Sequence, residues 1–246
     1  MIASLPMYDR PETAAANDRL WSLIHQALGD YGIAAPDTLT RGADLWQTWM
    51  RPDLCLSQTC GLPYRTALHG HVTLVATPSY DLPCDPGHYF SVMVAHRSDT
   101  RERFDGATLA YNDGRSQSGW AAAVDWATQT DTSFGHILAT GGHLNSARAV
   151  AEGRADIAAI DALTWKMIKR WEGCAQTMRE VATTTATPTL PMITAKNNDA
   201  HVYWMALNDA AGALSDADRA DLGLRAYVQI PSESYLEIPT PQSPGE

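Results

Sequence analysis

The stretch Asn112-Asp113-Gly114-Arg115-Ser116-Gln117-Ser118-Gly119-Trp120 constrains the fold more than any other. Residues 106–111 before it form a short apolar run of strand type. Residues 120–126 after it are alanine-rich, with Trp120, Val124 and Ala127 on one helical face. Strand, tight polar turn and helix in this order are the layout of a phosphate cradle. Asp113-Gly114 reads as the turn, because glycine accepts backbone angles that other residues resist. Ser116 or Ser118 then caps the helix, whose first N–H groups have no partners inside it. Those donors, the helix dipole and two hydroxyls suit an anion. The same residues also describe an ordinary capped helix that binds nothing.

The alternation continues along the chain. Strands are expected at 2–8, 54–58, 72–77, 89–96, 108–111, 134–140, 156–160, 178–184 and 226–230. Helices are expected at 12–30, 44–49, 118–128, 145–152, 162–171, 199–213 and 216–222. This is an α/β pattern with a largely parallel sheet. Two proline-marked crossings, 78–87 and 185–191, divide it. Residues 1–86 and 192–246 then form one lobe and 87–191 the other, with the tail from 239 on expected to fray. Two α/β lobes joined by two crossings are the layout of a clamshell binding protein. Its ligand sits in the cleft and its closure is a hinge motion.

Composition excludes several partners. The net charge is −10 and no Lys/Arg cluster occurs, which argues against nucleic acid and anionic membranes. No apolar run is long enough to span a bilayer, so no membrane insertion is expected. The N-terminus shows no signal-peptide pattern. The expectation is the cytoplasm, or the periplasm if a leader precedes this sequence. Cys55, Cys60, Cys84 and Cys174 form no CxxC pair and read as free thiols. No Walker loop, dinucleotide fingerprint or Gly-x-Ser-x-Gly elbow is present, so neither a cofactor nor a catalytic nucleophile is expected. His69-Gly70-His71 and Cys84 with His88 fall short of a metal ligand set.

At several stretches the chain resembles the phosphate/phosphite/phosphonate substrate-binding proteins of ABC transporters. They are Leu5-Pro6-Met7-Tyr8, Ser57-Gln58-Thr59-Cys60-Gly61-Leu62-Pro63-Tyr64, the 112–120 stretch, and Gly142-His143 through Asp161. The resemblance implies the type 2 periplasmic-binding fold, two lobes that are each a mixed sheet flanked by helices. It implies binding of a phosphorus oxyanion between the lobes, an ABC permease as partner, and no catalysis. Ser116, Gln117 and Ser118 would hold the phosphoryl oxygens, and His143 would donate to the same group. Asp161 would face the ligand from the second lobe; Tyr8, Gln58, Thr59 and Tyr64 would close over it from the first. A monomer is expected. The alternatives are a related sensor domain and an enzyme on the same fold acting in cofactor-precursor biosynthesis.

Each residue also has a plainer reading. His143 could be a capping or surface histidine, although it follows Thr140-Gly141-Gly142 at a strand end, where α/β ligands sit. Asp161 could simply cap the helix after it, a role compatible with ligand contact. Ser116, His143 and Asp161 suggest a catalytic triad, but the serines are better explained as donors at a helix start.

Overall fold

The computed structural model describes residues 1–244, which fall into two compact units. Met1–His88 and Pro188–Ile238 make the first, and Tyr89–Thr187 with residues 239–244 belong to the second.

The first unit opens with β1 (Ile2–Ser4) and α1 (Ala14–Asp30). Along α1, Leu20, Trp21, Ile24, Ala27 and Leu28 are buried, the spacing of a core-facing helical stripe. After α2 (Leu45–Trp49) comes β2 (Leu54–Gln58), every residue of which is buried. A single turn, α3 (Gly61–Pro63), widens into a π-turn at Tyr64–Leu68 and leads to β3 (Val72–Tyr80). The chain leaves through β4 (His88–Tyr89).

The second unit contains β5 (Ser91–His96), β6 (Thr108–Tyr111), α4 (Ala122–Gln129), β7 (His136–Ala139) and α5 (His143–Ala151). It continues with β8 (Ile157–Asp161), α6 (Ala162–Trp171) and β9 (Met178–Thr183). The return segment β10 (Thr187–Pro188) pairs with β4, so the two connecting segments bond to each other. Then follow β11 (Met192–Ala195), α7 (Ala200–Ala213), α8 (Asp216–Leu222), β12 (Leu224–Val228) and α9 (Ser232–Leu236).

Both sheets are mixed, not largely parallel. The first runs β1-β2-β11-β3-β12, with β11 antiparallel to both β2 and β3, and β12 antiparallel to β3. The late strands return to the first unit and enter its sheet in the opposite sense. The second sheet runs β7-β6-β8-β5-β9, with β6, β7 and β8 parallel and β5 antiparallel to its neighbours. Its core gathers Met93, Phe104, Leu109, Trp120, Trp126 and Ile157.

Three local expectations change. Pro78 does not break its strand: β3 runs through it to Tyr80, and Pro78 stands opposite Tyr227 of β12. Gly114 does not adopt a left-handed backbone. Its small size serves packing instead, since a Cβ there would lie 2.6 Å from Pro244 Cδ. The tail is anchored rather than frayed as far as residue 244, with Trp120 Nε1 donating to the Gln242 carbonyl at 2.8 Å. It therefore joins the second unit, whereas sequence grouped 239–246 with the first; Gly245 and Glu246 lie outside the described residues.

The segment after β10 is fixed by a buried phenol. Tyr235 Oη donates to the Thr189 carbonyl at 2.8 Å and lies 2.7 Å from Thr77 Oγ1. Removing the hydroxyl leaves the Thr189 acceptor enclosed without its donor, at a cost of about 1–3 kcal/mol. Tyr235→Phe should lower the urea midpoint accordingly without changing the slope of the transition. An unchanged midpoint would show that the network contributes nothing.

Candidate ligand site

Parallel strands β6, β7 and β8 are each followed along the chain by a helix, so the starts of α4, α5 and α6 lie along one edge of the second sheet. The first start is widened. A π-turn at Gln117–Ala121 precedes α4, and the Ser116 carbonyl accepts from Trp120 N at 3.3 Å and Ala121 N at 3.0 Å. Ser116 caps this turn, its Oγ accepting from Gly119 N at 3.0 Å. Gln117 and Ser118 follow, both buried.

Ser118 joins the first start to the second. Its Oγ lies 2.9 Å from Nε2 of His143, the first residue of α5. Asn112 Nδ2 approaches the same ring nitrogen at 3.4 Å. A third link reaches α6. Ser91 on β5 donates its hydroxyl to the Ser118 carbonyl at 2.8 Å, and Ser91 is the ladder partner of Asp161. Asp161 caps α6, accepting from Thr164 N at 2.8 Å. The structure thus gathers Ser116, Gln117, Ser118, His143 and Asp161 at one sheet edge.

The residues of the first unit form a separate group. Tyr8 packs edge-on against Tyr80, with ring centroids 5.1 Å apart. Gln58 Nε2 donates to Tyr80 Oη at 2.9 Å and to the Leu190 carbonyl at 3.3 Å. Tyr8, Gln58 and Tyr80 line a cavity of about 30 Å³ with Leu5, Met192 and Tyr227. Thr59, next along the chain, is fully buried, and its N–H donates to the Pro191 carbonyl at 3.0 Å. Tyr64 is placed elsewhere. It lies in the core with Trp49, Leu54 and Tyr235, edge-on to Tyr235 at 5.2 Å, and burial pushes its pKa up to about 12.

Sequence reading passed over Asn112, Ser91 and Tyr80. Asn112 carried a usable signal, an amide directly after a strand and before the cap. Ser91 and Tyr80 sit in or at the end of apolar strands, where nothing local distinguishes them.

The site carries no formal positive charge among the side chains just named at neutral pH. His143 keeps some surface exposure as a residue, yet its Nδ1 is enclosed and makes no hydrogen bond of ordinary geometry. Burial pulls its pKa down from 6.5 to about 4, with the Ala159 backbone opposing the shift. An anion here would be held by helix starts and hydroxyls rather than by a counter-ion. The Ser118–His143 distance is also that of a nucleophile and its base. However, the enclosed Nδ1 meets no carboxylate to orient the ring, and an imidazole with so low a pKa is a weak base.

The two units have the mixed α/β architecture of the type 2 periplasmic-binding-protein fold. The binding-protein component of an ABC phosphonate transporter from Pseudomonas aeruginosa is similar at a TM-score of 0.71 and 14% identity, over 96% of this chain and 83% of that one. PhnD1 from Prochlorococcus marinus in complex with methylphosphonate is similar at a TM-score of 0.69 and 11% identity, over 95% and 94%. A Xanthomonas citri protein bound to ATP is similar at a TM-score of 0.69 and 13% identity, over 97% of each chain. No curated protein sequence matches. Residues 53–219 match the family described as the periplasmic substrate-binding protein of phosphonate ABC transporters, and the chain belongs to that family. It is a family of transport binding proteins rather than of enzymes. No described helix is long and apolar enough to cross a membrane.

The histidine makes a pH-dependent prediction. Above about pH 6.5 both folded and unfolded chains hold it neutral. As pH falls from 6.5 towards 4, the unfolded chain takes a proton that the folded one refuses, so stability is lost across that window. The loss attributable to His143 is on the order of 3 kcal/mol at the acid end. Chemical denaturation at several pH values should show a shallower decline for His143→Gln. Equal declines would mean that the imidazole is not buried neutral.

Proposed function

We propose that this chain binds a small phosphorus oxyanion, phosphate, phosphite or phosphonate, at the helix starts of the second unit, and hands it to an ABC permease. The observation that carries this reading is the convergence of three helix starts on one edge, tied together by Ser118, His143 and Ser91. Ser116 accepts from Gly119 N, which leaves its hydroxyl hydrogen available to a ligand oxygen. The first-turn N–H groups add donors of fixed direction, and the helix dipoles favour negative charge. Family membership supports transport rather than turnover. The methylphosphonate complex of a structural relative supports the ligand class.

Titration calorimetry with phosphate, phosphite, methylphosphonate and sulfate tests the reading. At least one phosphorus oxyanion should bind, and Ser116→Ala should weaken it. A hydroxyl bonded to a charged ligand contributes about 1.5–3 kcal/mol, a loss of roughly 10- to 100-fold in affinity. Circular dichroism separates this from the lost helix cap. A folded Ser116→Ala variant with full affinity would remove the site from this turn.

A further inference from the structure

The groups around His143 determine which way the Ser118 hydroxyl points. Two side chains approach Nε2, Ser118 Oγ at 2.9 Å and Asn112 Nδ2 at 3.4 Å. An amide NH₂ can only donate, so an Nε2 that receives it carries a lone pair. A hydroxyl 2.9 Å from an unprotonated nitrogen must then donate to it. The orientation of Asn112 has its own cause. A Cβ on Gly119 would fall 1.8 Å from Asn112 Oδ1, so this oxygen faces the Gly119 Cα hydrogen. Asn112 Oδ1 has no hydrogen-bond partner there beyond this C–H contact, and the reversed amide would bury two N–H donors in place of one acceptor. The ring proton is left for Nδ1, on the enclosed side of the imidazole.

We propose that His143 is locked as the Nδ1–H tautomer, so that Ser118 gives its hydrogen to Nε2 and meets the ligand as an acceptor. Resting on the oxyanion reading above, this selects an oxyanion that carries a hydroxyl of its own. The two serines of the turn then have opposite polarity. Ser116 Oγ is filled by Gly119 N–H and offers a hydrogen. Ser118 Oγ, 3.5 Å away, has committed its hydrogen inward and offers lone pairs. In the free protein the Ser116 hydroxyl can rest on Ser118 across that long contact, and a charged ligand oxygen competes well for it. Asp161 caps the neighbouring helix start, and its ladder partner Ser91 holds the Ser118 carbonyl. A fully deprotonated oxyanion meets only lone pairs at Ser118 Oγ. A hydrogenphosphate or hydrogenphosphonate can donate its P–OH there while its charged oxygens face Ser116 and the helix starts. Asn112 becomes a positioning residue, acting on the ligand only through His143.

Two readouts on the full chain test this. Long-range ¹H–¹⁵N correlation of histidine-labelled protein, without ligand, should report His143 protonated at Nδ1 and bare at Nε2 between about pH 5 and pH 8. A proton on Nε2 would overturn the assignment. Calorimetry with methylphosphonate across its second ionisation should then show affinity falling about tenfold per pH unit on the alkaline side, with sulfate not bound. Ser118→Ala should flatten that dependence. A parent protein that binds the dianion as tightly as the monoanion, or a Ser118→Ala variant with the parent's full pH dependence, would refute acceptance by Ser118. Failure of methylphosphonate, phosphite and phosphate to bind at any pH would overturn the functional reading and the selectivity together. The tautomer is read without ligand and stands apart from that result.

Discussion

Parallel strands cannot be joined by tight turns, so each of β6, β7 and β8 must send a helix back over the sheet before the next begins. All three helices therefore start at the same edge. A helix start exposes N–H groups that nothing within the helix can satisfy. Three such starts side by side make a region of directed donors, and the rest of the second unit keeps it in register. Ser116 and Asp161 each cap one start. His143 opens another and is bonded across to Ser118. The hydroxyl of Ser91 ties the Ser118 carbonyl to the strand paired with β8.

Such a region can hold an anion without a buried cation. The chain as a whole is acidic, with 28 Asp and Glu against 18 Lys and Arg, and the cluster contains a carboxylate and an imidazole whose pKa burial pulls down to about 4. A buried arginine would bind oxyanions of any protonation state and would carry a large desolvation cost. Hydroxyls and backbone dipoles are weaker singly, but each has a direction. Discrimination can then rest on where a ligand has hydrogens rather than on its charge.

Where sequence reading succeeded, the signal was local. Ser116 and Asp161 are short polar residues at the seam between an apolar strand and a helix, and each caps the helix expected of it. Where it failed, the cause was a distant partner. Nothing near Met192 or Leu224 announces that β11 and β12 enter the first sheet antiparallel. Pro78 looks like a breaker until Tyr227 stands opposite it. Gly114 looks like a turn glycine until Pro244 packs against it, and the tail looks free until Trp120 binds Gln242. Tyr64 read as a cleft residue from its neighbours in sequence, while its ring is claimed by the Tyr235 core. The polarity of Ser118 depends on Asn112, Gly119 and His143 together, a relation that no spacing encodes.

The central claim is that the helix starts of the second unit receive the anion. A crystal structure of the protein grown with methylphosphonate tests it most directly. The account predicts a phosphoryl group within about 3 Å of Ser116 Oγ, Ser118 Oγ and first-turn N–H groups. A phosphonate bound elsewhere on the chain, with Ser116, Ser118 and His143 bonded only to one another, would contradict it.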